Sequence, residues 1–168
     1  MKKLSWLVTV LLLPVICLAE TIPLIHGTTL SGEEVVLPRD LRTQHSILIL
    51  GFSERSGESS RGWSKKIWAE LISERHDLSC YQVPVLAAAP RLLRGVIVRA
   101  IKKDTLEEQR HYFVPIFEKE QEWKRTVQFS EPDTAYLLLV KQSGEVEWKT
   151  HGEFTPERMQ EMKTLLHR

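Results

Sequence analysis

The chain has 168 residues, with 23 Lys and Arg side chains, 22 Asp and Glu side chains and a formal net charge of +1. Removing Lys2 and Lys3 leaves 21 basic against 22 acidic side chains, which is close to neutral. This balance gives no argument for nucleic acid or an anionic membrane surface as a partner, because both attract strongly basic proteins.

Residues 1–19 have the pattern of a signal peptide. A basic pair at residues 2–3 precedes an apolar run over residues 4–18, and a small-residue cleavage site ends at Ala19. We expect cleavage after Ala19, which leaves one domain over residues 20–168, located in a bacterial periplasm or secreted. The alternative is an uncleaved segment that anchors the protein, and it would be the only part in contact with a membrane.

The cysteine content limits thiol chemistry. Once Cys17 leaves with the signal peptide, Cys80 is the one remaining cysteine, so no intramolecular disulfide can form. A lone cysteine in an oxidising compartment is buried, reactive or bonded to another chain. Cys80 begins an apolar stretch, so we expect it to be a small buried side chain of the core. A redox-active thiol is the alternative.

Three extended regions are predicted in the first half of the chain. Residues 22–37 predict extended structure with a turn at Gly32. Residues 45–53 form an apolar run without alternation, which is typical of a central strand covered on both faces. A second central strand is expected over residues 79–89.

Two helices are predicted around this second strand. The first begins near Ser60, with Ser59 or Ser60 as its N-cap. The second opens at Pro90 and carries several Arg and Lys side chains. A basic helix face is usually only solvated, and partner binding by it is the alternative. One side of this helix is apolar and consists of Leu92, Leu93, Val96, Ile97, Ala100 and Ile101.

The second half begins with its least regular stretch, residues 104–133, in which only short helices are expected. Residues 134–149 then predict a hairpin of a buried strand and an edge strand around Gly144. Thr155 can cap a final helix that has Pro156 at its first position. These elements predict an α/β fold with one mixed sheet, parallel in its first half and antiparallel at the end, and helices on both faces.

This order of elements resembles the thioredoxin-like superfamily over nearly all of residues 20–168. Residues 47–53 with the following 56–59 are similar to the strand and redox turn of exported thiol–disulfide oxidoreductases. Residues 136–146, with the helix after Thr155, are similar to their closing hairpin and last helix. The resemblance implies a thioredoxin-like three-layer sandwich with a mixed central sheet.

Within that superfamily the chain looks most similar to the mitochondrial ATP synthase assembly factor family and its bacterial relatives. The similar segments are residues 30–38, 91–99 and 135–148. Members of that family adopt a thioredoxin-like fold and act as assembly chaperones rather than as redox enzymes. The resemblance therefore implies a protein partner and no catalytic residues.

Two departures from the oxidoreductase pattern agree with this reading. Ser56 and Ser59 stand where the resemblance places two cysteines, and a hydroxyl cannot exchange disulfides. Ala135 stands where the resemblance places a cis-proline. We expect a trans bond at Ala135, since a non-proline cis bond costs roughly 3 kcal/mol. Pro132 could take that place only through a shift of register.

Other chemistry has little support in the sequence. The six histidines show no metal-ligand spacing. Copper delivery would need thiolates, which the turn lacks. A nucleophilic serine would need Glu58 and His151 brought together, and the glycines near Gly51 do not have the spacing of a phosphate-binding loop. We therefore expect no metal, no cofactor and no nucleic acid.

The sequence predicts an exported, redox-inactive thioredoxin-like protein that binds another protein as an assembly factor or chaperone. One alternative is a single-cysteine, redoxin-type enzyme that uses Cys80. Another is a structural exported domain without a catalytic surface, and the charged turn would then be only a solvated loop. The candidate partner surface is the degenerate redox turn with its neighbours, namely Glu54, Arg55, Ser56, Gly57, Glu58, Ser59 and Ala135.

Overall fold

The computed structural model describes residues 19–167, so the predicted signal peptide lies almost wholly outside the described residues. Within that range the strands are β1 (Ile25–Thr28), β2 (Glu34–Leu37), β3 (His45–Gly51), β4 (Leu78–Pro84), β5 (Tyr136–Lys141) and β6 (Val146–His151). The α-helices are α1 (Ser56–Ile67), α2 (Arg91–Asp104), α3 (Glu120–Thr126) and α4 (Pro156–Leu166).

A four-stranded sheet in the order β4-β3-β5-β6 forms the centre of the protein. β3 pairs in parallel with β4 and antiparallel with β5, and β6 is the antiparallel edge strand. β1 and β2 form a separate antiparallel hairpin. The predicted mixed sheet is therefore confirmed.

β3 lacks alternation because both of its faces are buried, as the sequence predicts. Ile47 and Ile49 pack on one face of the sheet with α1 and α4. Leu48 and Leu50 pack on the opposite face, where β1, β2 and α3 supply the covering side chains. The two cores give the predicted three-layer sandwich with helices on both faces.

The start of α1 differs from the prediction. The helix begins at Ser56, not near Ser60, and neither Ser59 nor Ser60 is its cap. Ser53 Oγ instead accepts the backbone N–H of Ser56 at 3.1 Å, so an upstream side chain satisfies the first free donor. Ser60 Oγ donates to the Ser56 carbonyl at 2.9 Å from within the helix.

The remaining boundaries follow local signals. β4 ends at Pro84, earlier than predicted, because Ala89 N–H bonds to the Leu86 carbonyl at 3.0 Å and forms a turn there. The irregular stretch holds a 3-10 helix over Glu107–Tyr112 before α3. Thr155 Oγ accepts the backbone N–H of Arg158 at 3.4 Å, which confirms the predicted cap of α4.

Candidate functional site

The two serines of the degenerate redox turn lie in the first turn of α1, at the end of β3. Ser56 is only 1% exposed, and its Oγ donates to the Ser53 carbonyl at 2.7 Å. Gly51 makes room for this side chain, because a Cβ at Gly51 would overlap Ser56 Oγ. The position that carries a redox sulfur in related folds is therefore turned inward here and bonded to its own loop.

Ser59 links three separate parts of the chain. Its Oγ accepts the backbone N–H of Ala135 at 3.2 Å and donates to the Gly152 carbonyl at 3.3 Å. Trp63 Nε1 donates to the same carbonyl at 2.8 Å. The peptide bond before Ala135 is trans, as predicted. Ser59 therefore holds α1 against the beginning of β5 and the end of β6.

The loop before α1 also contacts the turn before β5. Ser53 Oγ donates to Asp133 Oδ1 at 2.8 Å, and Arg55 forms an ion pair with Asp133 Oδ2 at 3.3 Å. These two segments are about 80 positions apart in the sequence, and the sheet order brings them together because β3 and β5 are neighbours. All of the predicted surface residues thus lie around one end of the sheet.

The members of this surface differ in exposure, and that difference decides what each can do. Glu54, Arg55 and Glu58 are exposed, whereas Ser56, Ser59 and Ala135 are buried. A partner could reach the charged side chains directly. The serines and Ala135 shape the surface from beneath.

Aromatic side chains beside this loop were not predicted as part of the site. Phe52 packs edge-on against Phe129 and Tyr136, with ring centroids 5.0 and 5.6 Å apart. His151 stacks on Tyr136 at 5.3 Å, and Lys124 Nζ lies 4.6 Å from the Phe129 ring centre. The one sequence signal was Phe52, at the end of the predicted strand. The other members come from distant segments that only the fold brings together.

Tyr136 anchors the turn that carries Asp133. Its hydroxyl accepts the backbone N–H groups of Ser130 and Glu131 at 2.8 and 2.7 Å and donates to the Glu131 carbonyl at 3.0 Å. The turn is therefore fixed at its start by Tyr136 and bonded through Asp133 to the loop before α1. This double attachment makes the surface a preformed one.

Cys80 lies away from this surface. It pairs with Ile47 in the sheet, four positions before the end of β3, and packs in the core shared by α1 and α4. The side chain is 1% exposed, and burial raises the pKa of the Cys80 thiol far above its usual range. The expectation of a small buried core side chain is met.

Residues 19–167 contain neither a metal-binding cluster nor a membrane-spanning helix. No group of three or more His, Cys, Asp or Glu side chains in this range is arranged to hold a metal ion. In the same range, no helix combines the length and apolar composition needed to cross a membrane.

The chain has a thioredoxin-like fold with Ser56 and Ser59 in the turn after β3. It therefore falls in the class of thioredoxin-like proteins without a dithiol at that turn. The model of the ATP10 protein family matches residues 18–168, and the chain belongs to this family. It is therefore an assembly factor of the thioredoxin-like type, as the sequence resemblance implied. No curated protein matches the sequence.

Solved structures of bacterial thioredoxin-like proteins share the fold. StoA from Bacillus subtilis is 15% identical, with a TM-score of 0.53 over 83% of this chain and 95% of its own. The exposed lipoprotein thioredoxin Etrx1 of Streptococcus pneumoniae is 11% identical, with a TM-score of 0.59 over 87% of this chain and 100% of its own. A putative thioredoxin from Neisseria meningitidis is 18% identical, with a TM-score of 0.57 over 89% of this chain and 92% of its own. At these identities the similarity shows the fold alone.

Proposed function

We propose that this chain is exported, that its mature part is residues 20–168, and that it acts as a redox-inactive assembly factor or chaperone. Its partner is another protein, which binds the surface formed by the loop of residues 53–60 and the turn of residues 130–135. One observation carries the proposal. Both positions of the redox turn are buried hydroxyls that bond within the protein.

The chemistry of these hydroxyls supports the loss of redox activity. Disulfide exchange needs a thiolate that attacks and a sulfur that leaves, and a serine hydroxyl provides neither. Both hydroxyls also stabilise the native structure, since Ser56 bonds to a carbonyl of its own loop and Ser59 to the backbone N–H of Ala135. The frame of an oxidoreductase is thereby kept while its reactive centre is replaced by structural contacts.

The composition of the exposed surface supports protein binding. Arg55 is exposed in the loop before α1, and the half-buried Phe52 of the same loop packs against the half-buried Phe129. Arginine and aromatic side chains are enriched where proteins meet, because they combine large contact area with directed polar groups. Glu54 and Glu58 add exposed carboxylates that would favour a basic segment of the partner.

Site-specific cross-linking tests this surface. A photoreactive amino acid at Glu58 should give a discrete adduct with one protein in the cells that make the chain, since Glu58 is exposed at the loop. The matched control is Thr164, which is exposed near the far end of α4, where the Leu166 carbonyl accepts Arg75. Equal adducts at both positions, or none at Glu58, would reject this surface as the binding site.

The alternative function, a single-cysteine enzyme that uses Cys80, predicts rapid alkylation of the native thiol, whereas the proposed function predicts slow alkylation. We expect a Cys17→Ser chain to react slowly with iodoacetamide when native and rapidly in urea, because Cys80 is buried and its pKa is raised. The same chain should not reduce insulin disulfides. Rapid labelling of the native protein or measurable insulin reduction would favour the enzyme instead.

A further inference from the structure

α2 exposes large apolar side chains, whereas the other long helices bury their own large apolar side chains. Leu92 is 94% exposed, Leu93 50% and Val96 58%, and no residue of α2 is fully buried. By contrast, α1 buries Trp63 and Ile67 against the sheet. The inward side of α2 is instead formed by half-buried residues, among them Ile97, Val98 and Ile101. The prediction that all apolar residues of α2 lie on one side is therefore wrong. Leu92, Leu93 and Val96 face solvent, whereas Ile97 and Ile101 face inward.

The exposed apolar side chains are accompanied by unpaired cations. Leu92, Val96, Arg99 and Lys103 follow each other at intervals of three or four residues and share one face of the helix. Arg91 is also exposed at the first turn. Among residues 19–167, no carboxylate lies within ion-pair distance of Arg91, Arg99 or Lys103.

Local charge on this segment contrasts with the near-neutral chain. α2 carries Arg91, Arg94, Arg99, Lys102 and Lys103 against the single carboxylate of Asp104. Arg94 points inward, where it donates to the Ala87 and Ala89 carbonyls at 3.2 and 3.1 Å. The nearest acidic residues in sequence, Glu107 and Glu108, lie beyond the helix in the 3-10 segment. The exposed surface of α2 therefore combines Leu92, Leu93 and Val96 near its start with the cations of Arg91, Arg99 and Lys103.

We infer that α2 is a docking site for an anionic lipid surface. On a helix that lies along a membrane interface, exposed Leu and Val side chains insert, and long Arg and Lys side chains of the same face reach back to the anionic headgroups. α2 has 14 residues, too few to span a bilayer, so it would lie parallel to the surface. This site is separate from the loop of residues 53–60 and does not depend on the function proposed for that loop.

Co-sedimentation with vesicles tests the docking site in the full chain. The vesicles are phosphatidylcholine alone or phosphatidylcholine with about 30% phosphatidylglycerol. We expect affinity at least about tenfold higher for the anionic vesicles at low salt, and most of this difference should be lost at about 0.5 M salt. Equal affinity for the two kinds of vesicle would overturn the inference.

Charge reversals locate the attraction on α2. Arg99→Glu with Lys103→Glu should remove the preference for anionic vesicles. The matched control is Arg61→Glu with Lys65→Glu, which reverses exposed cations at the same spacing on α1 and should leave the preference unchanged. An unchanged preference in the α2 variant, or an equal loss in both variants, would contradict the assignment to α2.

Removal of the apolar groups tests insertion. Leu92→Ser with Val96→Ser should weaken binding to anionic vesicles by at least about tenfold, because both side chains would lose their burial in the interface. Leu24→Ser is the control, since Leu24 is 54% exposed on another part of the surface. No loss in the α2 variant, or the same loss in the control, would count against insertion of α2.

A local probe separates docking by α2 from any binding by residues 1–18. A polarity-sensitive fluorophore is attached at Ala100→Cys in a Cys17→Ser chain, in which buried Cys80 should stay unlabelled. We expect a blue shift with anionic vesicles and none with neutral ones. Vesicle binding without this shift would overturn the lipid assignment. The assignment would also fail if position 100 showed no shift and cross-linked to a protein.

Discussion

Replacing Trp63 by alanine should lower the free energy of unfolding by about 3–5 kcal/mol, the usual cost of removing a large buried aromatic side chain. Trp63 is completely buried where α1 packs on the sheet. Its ring contacts Phe154 edge-on at 5.1 Å, and its Nε1 donates to the Gly152 carbonyl at 2.8 Å. Alanine removes this packing and this hydrogen bond at once.

Urea unfolding followed by far-UV circular dichroism measures this loss, because the chain holds other tryptophans that complicate fluorescence. Trp63→Phe is the matched control. It keeps a ring in the core but loses the bond to Gly152, so we expect a smaller loss of about 1–2 kcal/mol. A cost for Trp63→Ala of under about 1 kcal/mol would mean that α1 is not held to the sheet as described.

The same substitution bears on the candidate surface. The Gly152 carbonyl accepts bonds from both Trp63 and Ser59, and Ser59 in turn accepts the N–H of Ala135. Loss of Trp63 therefore loosens the contact that fixes the start of α1 against β5. The stability of the core and the shape of the loop are linked through one backbone carbonyl.

Local sequence patterns predicted the elements that depend on short-range physics. The unbroken apolar run around Ile49 indicated a strand covered on both faces, and both faces are indeed filled. Thr155 and Pro156 indicated the start of α4 because capping depends on neighbouring residues only. These features need no knowledge of distant segments.

Features that depend on long-range contacts were beyond the sequence. The bond between Ser53 and Asp133 and the stacking of Phe129 on Tyr136 require the order of strands in the sheet. α1 begins earlier than the pattern predicts, because Ser53 satisfies the Ser56 N–H although the pattern places Ser53 in the preceding strand.

The orientation of α2 shows a second limit. Its apolar residues are spread over a wide arc, so periodicity identified a helix but not the side that packs. Both Leu92 and Ile101 fit an inward side by composition. In the structure Ile101 is half-buried and Leu92 is almost fully exposed. The β1–β2 hairpin lines one groove together with Arg94 and Val98 of α2, so the inward side of the helix depends on a distant segment of the chain.

Gly51→Ala is the other substitution with a large expected effect, about 1–3 kcal/mol of destabilisation. Gly51 ends β3, and an added Cβ would overlap Ser56 Oγ. Ser56 cannot simply rotate away, because its Oγ is bonded to the Ser53 carbonyl at 2.7 Å. Gly62→Ala is the matched control. Gly62 lies within α1 with no atom near its Cβ position, so alanine there should stabilise by about 0.5–1 kcal/mol.

The cause of the Gly51→Ala effect can be isolated by a double-mutant cycle with Ser56→Ala. Without Ser56 Oγ, the nearest atom to the new methyl group is the Cβ of residue 56 at 3.4 Å, an ordinary contact. The cost of Gly51→Ala should then fall below about 1 kcal/mol, so that the two substitutions couple strongly. Additive costs would show that Ser56 does not occupy this space. Strong coupling would show that the side chain of residue 56 fills the space beside the end of β3, where a Cβ at position 51 would otherwise fit.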